Sequence, residues 1–321
     1  QAALYSHVAE GNLDAFDVGG SPLGVTVELG TLTVTRPARP ARPAEMGIEE
    51  PLNARASDEL ALLDINPLPA ESEVGGALAV IWTWRALDTP QGDYRARLAW
   101  LDEEGDALAA SLEVPLATGY PTTAWKKRDV WRGIHLLHVP GRLEAGNYEV
   151  AVQVIDSAGE VVGEPLAVGE MAVTTPPRAY EVPPLDVQTD AAWANGIALL
   201  GYRLSDSTIR QGEGFELVLA WGAEAEVKTS LTVFVHLFDE NGQIVAQRDH
   251  IPAVGARPTT GWAPGEVIED PYTLRVSDDL APGRYWLRVG WYDALTGERV
   301  PLADGTDTWR LPATIRVSAG P

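Results

Sequence analysis

The side chains here with which chemistry could be done are 46 carboxylates and five histidines, in a chain that has no cysteine. The missing thiol removes disulfides, thiolate metal ligands and cysteine nucleophiles together. Of the histidines, at 7, 135, 138, 236 and 250, just His135 and His138 lie close in sequence. A spacing of three in a strand turns their rings to opposite faces, whereas a metal needs convergent ligands, so no metal and no cofactor is expected. HExxH, GxSxG, a phosphate loop and a GxGxxG after a strand are all absent. A glycosidase needs two carboxylates flanking one bond, and 46 spread along the chain single out no pair. The acidic turns 102–106 and 239–242, with Asp304-Gly-Thr-Asp307, carry the oxygen ligands that Ca²⁺ takes, but solvated hairpin turns account for the same residues. The expectation is a chain that is not an enzyme.

Charge and composition narrow the partners. The formal net charge is −22, which repels phosphate backbones and anionic headgroups, so nucleic acid is not an expected partner. No apolar run approaches the ~20 residues of a membrane span, so no direct membrane insertion by this segment is expected. With 321 residues, 45% hydrophobic, 31 Gly and 24 Pro, the chain has room for two or three turn-rich cores. It begins at Gln1 without an initiator Met and reads as a processed or excised piece, any anchor or signal lying outside it.

A shift of 137 residues aligns 75–156 with 212–293 without a gap and makes 20 of the 82 pairs identical, the mark of a duplication. Trp84 pairs with Trp221, Asp102-Glu103-x-Gly105 with Asp239-Glu240-x-Gly242, and Pro121-Thr-Thr-x-Trp125 with Pro258-Thr-Thr-x-Trp262. Within each copy the apolar period is 2, as in Leu78, Val80, Trp82, Trp84 and Tyr148, Val150, Val152, Val154, which predicts half-buried strands. The fold expected is all-β: tandem antiparallel immunoglobulin-like or fibronectin III-like β-sandwiches over 60–174 and 197–321, joined by proline-stiffened linkers at 36–59 and 175–196. Residues 1–35 parallel the end of the second copy and read as an orphan β-hairpin, the remnant of a third repeat, which docks in cis or pairs with another chain.

Leu143-x-x-Gly146-x-Tyr148 and Leu280-x-Pro-Gly283-x-Tyr285 resemble the tyrosine corner of immunoglobulin-like and fibronectin III domains. The strings Leu199-Leu-Gly-Tyr-Arg-Leu204, Phe234-Val-His-Leu-Phe-Asp239, Pro258-Thr-Thr-Gly-Trp-Ala-Pro-Gly-Glu-Val267 and Ala281-Pro-Gly-Arg-Tyr-Trp-Leu-Arg-Val-Gly-Trp-Tyr-Asp293 look like a further recurrent module. They are similar to extracytoplasmic C-terminal β-sandwich regions of bacterial membrane glycosyltransferases that resemble protein mannosyltransferases, chiefly of green non-sulfur bacteria. The likeness covers most of 197–317 and, more loosely, 60–174, where Lys126-Lys-Arg-Asp129 replaces Ala-Pro-Gly-Glu. It implies an outside-facing accessory region, at the cell surface or secreted, whose partners are other protein chains or its own membrane-anchored parent. The transferase site of such proteins would lie in membrane helices outside this sequence.

Two sets of residues are candidates for binding. In the second copy Leu231, Val233, Val235 and Leu237 point inward and leave Phe234, His236 and Phe238 outward. A later strand leaves Trp286, Arg288 and Tyr292 outward, and in an immunoglobulin-like order the two are neighbours. One exposed aromatic patch is expected there, covered in cis, used as an interface with another chain, or stacked on sugar rings. Weaker candidates are the loop residues Trp125 and Trp262, as sugar platforms or as plugs over the sandwich ends. The reading is a non-catalytic extracytoplasmic structural or interaction module; the alternatives are a carbohydrate-binding module and a self-assembling filament or surface-layer subunit joined by strand or hairpin donation.

Overall fold

Alternation of buried and exposed side chains sets the strands and the core together. The computed structural model describes residues 35–320 and, before them, four short strands, Tyr5–Ser6 paired antiparallel with Gly11–Asn12 and Ala15–Phe16 with Pro22–Gly24, two short pairings where one hairpin is expected; the rest of 1–34 lies outside the described residues. The chain divides into two compact units, 1–39 and 40–321, and both sandwiches lie in the second. The first sandwich contains β1 (Ala54–Arg55), β2 (Leu60–Ile65), β3 (Glu71–Glu73), β4 (Ala77–Ala86), β5 (Arg95–Leu101), β6 (Ala107–Ala110), β7 (Val114–Pro115), β8 (Val130–His138), β9 (Gly146–Ile155) and β10 (Val161–Thr174). One sheet runs β8-β4-β2-β1, and the other β6-β5-β9-β10-β3 with β7 also on β5.

The second sandwich repeats this with β11 (Val187–Ala192), β12 (Ile197–Leu204), β13 (Thr208–Arg210), β14 (Gly214–Ala223), β15 (Leu231–Phe238), β16 (Ile244–His250), β17 (Val267–Arg275), β18 (Gly283–Asp293) and β19 (Trp309–Ser318). Its sheets run β11-β12-β14-β17 and β13-β19-β18-β15-β16. Within the sandwiches every pairing is antiparallel except β3 on β10 and β13 on β19, the short parallel additions. The fold is all-β, and the strand order is that of immunoglobulin-like sandwiches. β4 and β14, β8 and β17, and β9 and β18 all begin 137 residues apart, the shift of the sequence repeat. Each sandwich starts before the boundary expected from sequence, because β1 and β11 fall in the proline-flanked stretches that read as linker.

Tryptophan fills both cores. Trp82, Trp84 and Trp100 are wholly buried between the first pair of sheets, and Trp221 and Trp291 between the second, where Trp221 meets Trp291 edge to face at 4.7 Å. Both tyrosine corners form: Tyr148 donates to Glu144 O at 2.9 Å and Tyr285 to Ala281 O at 2.6 Å. The edges differ between copies. β8 is an edge strand exposing Ile134 and Leu136 at 62% and 52%, and β17 has Pro271 and Thr273 at those positions. A side-chain clip from Thr118 satisfies Ile134's main chain. Among the described residues no helix is long and apolar enough to cross a membrane.

The two sandwiches are locked by buried charge. Glu266, wholly buried, accepts from Arg178 Nη1 at 2.8 Å, from Arg257 on its other oxygen, and from the Ala263 amide at 2.9 Å. Arg178 comes from the connecting segment, and its Nη2 also donates to Gly141 O of the first sandwich at 2.6 Å, so one guanidinium binds both halves. Thr260 adds a hydroxyl bond to Gly75 O at 3.1 Å. The backbones approach too closely for side chains: a Cβ on Gly261 would sit 2.8 Å from Val74 O, and one on Gly141 would run into the Trp262 carbonyl.

Removing Glu266 strands two guanidinium groups. Glu266→Ala is expected to cost about 3–5 kcal/mol in chemical denaturation, as for a broken buried pair. Gly141→Ala, which overpacks the joint against the backbone of Gly261 and Trp262, is expected to cost about 1–3 kcal/mol and to separate the calorimetric transitions of the two sandwiches. A single unshifted transition in Gly141→Ala would show that the joint does not couple them.

Candidate functional site

The outer face of the β13-β19-β18-β15-β16 sheet collects the sequence's candidate residues. Inward positions on β15 and β18 are buried as the alternation requires, including Val233, Val235, Leu287 and Val289. Outward, β15 and β18 pair Phe234 with Gly290, His236 with Arg288 and Phe238 with Trp286. The rings converge: Phe234 lies 4.8 Å from His236 and 6.5 Å from Tyr292, and His236 lies 6.0 Å from Phe238. His236 Nε2 is 3.3 Å from Asp249 Oδ1 on β16.

This is not the open aromatic patch expected from sequence. Phe234 is 1% exposed and His236 7%, and Phe238, Trp286, Arg288 and Tyr292 are half-buried. Guanidinium groups lie over the rings: Arg299 over Phe234 at 4.6 Å, Arg288 over Phe238 at 4.5 Å and Arg310 over Trp286 at 5.0 Å. Each contact satisfies the ring quadrupole and removes apolar surface from water. Gly290 leaves the space in which Phe234 lies flat, since a Cβ there would collide with the ring. Arg299 is held in turn by Asp307 at 3.0 Å. Arg310 is absent from the sequence-based set because its seat depends on the register of β19 against β18, which places it directly opposite Arg288, and Arg299 because its seat depends on a lone bridge to Tyr292 after β18.

The loop tryptophans are plugs and not platforms. Trp125 and Trp262 are wholly buried, each closing a short 3-10 turn, and their indoles donate to Tyr120 O at 3.3 Å and Arg257 O at 2.9 Å. Neither ring face is available to a sugar: Trp125 stacks on Trp131 at 6.3 Å and Trp262 meets Trp291 edge-on at 5.8 Å. His135 and His138 do not meet. His135 packs on Trp82 at 5.1 Å, and burial pushes both imidazoles below the ordinary histidine value. Among the described residues no group of three His, Cys, Asp or Glu is placed to hold a metal.

A buried polar cluster escaped sequence reasoning. Asp270 on β17, wholly buried, accepts from the Tyr272 hydroxyl at 2.5 Å, from Trp221 Nε1 at 3.2 Å and from the Ala253 amide at 2.8 Å. His250 stacks on Tyr272 at 4.2 Å, with Nδ1 2.9 Å from Ile251 O and 3.8 Å from Asp270. The cluster holds the turn in which Ala253 and Val254 adopt left-handed φ values of 52° and 55°, strained for residues with a Cβ. Burial raises the Asp270 carboxyl above the usual range, against the hydrogen bonds that favour its ionised form. The first copy has Gly133 at this position, so comparison of the copies, residue by residue, is the signal that would have found it.

No family model and no curated protein matches this sequence. Among solved structures the chain is similar to a red sea bream transglutaminase, at 10% identity and a TM-score of 0.23, over 81% of this chain and 31% of the transglutaminase. The match thus spans about a third of that enzyme's length. The expectation that this chain is not an enzyme is corrected by that finding, since the protein it is similar to is one. A likeness this distant assigns no reaction to the chain.

Asp270 gives a pH signature. A carboxyl whose folded value is raised contributes most to stability when protonated, and loses that contribution as pH rises through its folded value. The stability of the wild type relative to Asp270→Asn is therefore expected to fall as pH is raised from about 4 towards neutrality. A difference that stays flat across this range in parallel denaturation series would contradict the raised value.

Proposed function

We propose that this chain is a structural and interaction module of a cell-surface protein or assembly: a rigid two-sandwich arm that projects extracytoplasmically from a membrane-anchored parent or a larger complex. The observation that carries the reading is the joint. Glu266, Arg178 and Arg257 together with Gly141 and Gly261 fix one sandwich on the other, where a flexible tether would need no buried charge. The likeness of the second copy's strings to accessory regions of membrane glycosyltransferases supports the outside-facing placement, and the strongly acidic surface suits a solvated, extended arm.

The ends of the arm argue against a filament made by repeating the same joint between chains. The position of Gly261 is Ala124 in the first sandwich, and that of Gly141 is Asp278 in the second, so each free end carries a side chain where the joint needs none. Other protein chains, or the parent itself, are then the partners of this reading.

An antibody against the chain is expected to label intact, unpermeabilised cells of the source organism, with the epitope lost on protease shaving. Labelling that appears only after lysis overturns the extracytoplasmic reading. In solution, small-angle scattering of the purified chain is expected to show one fixed interdomain distance, which Arg178→Ala broadens.

A further inference from the structure

The second sandwich carries an unneutralised arginine strip in a chain of net charge −22. On β18 and β19 Arg284 stands directly opposite Arg316, and Arg288 directly opposite Arg310, with Trp286 and Thr314 paired between them. Like charges directly opposite across a ladder are destabilising. Among the described residues none of the four guanidinium groups has a carboxylate within ion-pair distance; the arginines that do, such as Arg299 with Asp307, lie elsewhere. Arg284, Arg310, Thr314 and Arg316 are exposed, and Trp286 is half-buried under Arg310. The first sandwich inverts the pattern: on its equivalent strands Glu149 stands opposite Glu170.

We infer that this strip binds an acidic polysaccharide, a linear polymer of uronate-type sugars. The two arginine pairs lie about 13 Å apart along β18 at the rise of an extended strand, and the strip is two strands wide at ~5 Å spacing. A linear polymer fits a strip of that shape, whereas a protein interface of ordinary size needs about 800 Å² per partner. Guanidinium forks take carboxylates with two parallel hydrogen bonds, and the half-open indole between the pairs offers an apolar edge to a sugar ring. The inference goes beyond the proposed arm and is independent of its location, because it rests on the charge and register of one sheet face.

The test is binding of the purified full chain to polygalacturonate at low salt, with neutral dextran and duplex DNA as comparison polymers. Saturable binding to polygalacturonate is expected, weakened tenfold or more in Arg284→Ala/Arg316→Ala and lost on raising NaCl. Dextran and DNA are expected not to bind, and Glu149→Ala/Glu170→Ala is expected to leave binding unchanged. The arginine variant should melt no lower than the wild type, since it relieves a like-charged pair, and this separates lost binding from lost fold. Absence of binding overturns the inference, as does binding undiminished in the arginine variant or equal binding to DNA. Salt-sensitive self-association abolished by the same variant, without polysaccharide binding, would assign the strip to a second copy's acidic surface and overturn it equally.

Discussion

A single buried carboxylate organises the relation between the two halves of this protein. Glu266 is wholly buried, so its charge is tolerable only because Arg178, Arg257 and the Ala263 amide meet it inside the joint. Arg178 in turn reaches the carbonyl of Gly141, which converts a local ion pair into a link between domains. The close approach of Gly261 to Val74 follows from the same geometry, since backbones drawn together by these bonds leave no room for a Cβ. The loop that carries Glu266 also carries Trp262, so one segment both closes the second core and makes the joint.

Duplication supplied two copies of a sandwich, and the differences between them are where specific properties reside. The shared set is architectural: the core tryptophans Trp84 and Trp221, the tyrosine corners and the plug residues Trp125 and Trp262. The unshared set is polar or steric. Gly133 became Asp270, or the reverse, and with it came a buried carboxylate tied to Tyr272 and Trp221. Glu149 stands where the other copy has Trp286, and the charge of one sheet face changes sign. A backbone that tolerates both versions lets each face diverge at little cost to the core.

Much of the fold could be read from the sequence, because strand alternation and the repeat are local patterns repeated twice. Tyr148 and Tyr285 sit four residues past the carbonyls that their hydroxyls clip, which needs no tertiary knowledge. The candidate face was half legible. Alternation correctly turned Phe234, Phe238 and Trp286 away from the core, yet it could not show that Arg299 and Arg310 would lie over two of those rings, because that depends on which strand lies alongside and in what register. β11 was missed for a related reason: its residues Val187–Ala192 are too polar to signal a strand until Trp193 and β12 give them something to pair with. Asp270 gave no local sign at all, since one carboxylate among 46 is distinguished only by being inside.

The unequal edges of the two sandwiches bear on synthesis. Translation delivers β8, with Ile134 and Leu136 outward, before the second sandwich exists, whereas the matching edge arrives last and already carries Pro271. A proline has no amide to lend to an incoming strand, whereas β8 has no proline and its Ile134 is guarded only once the Thr118 clip has formed. The burden of aggregation therefore falls on the first half of the chain, during the interval in which it stands alone.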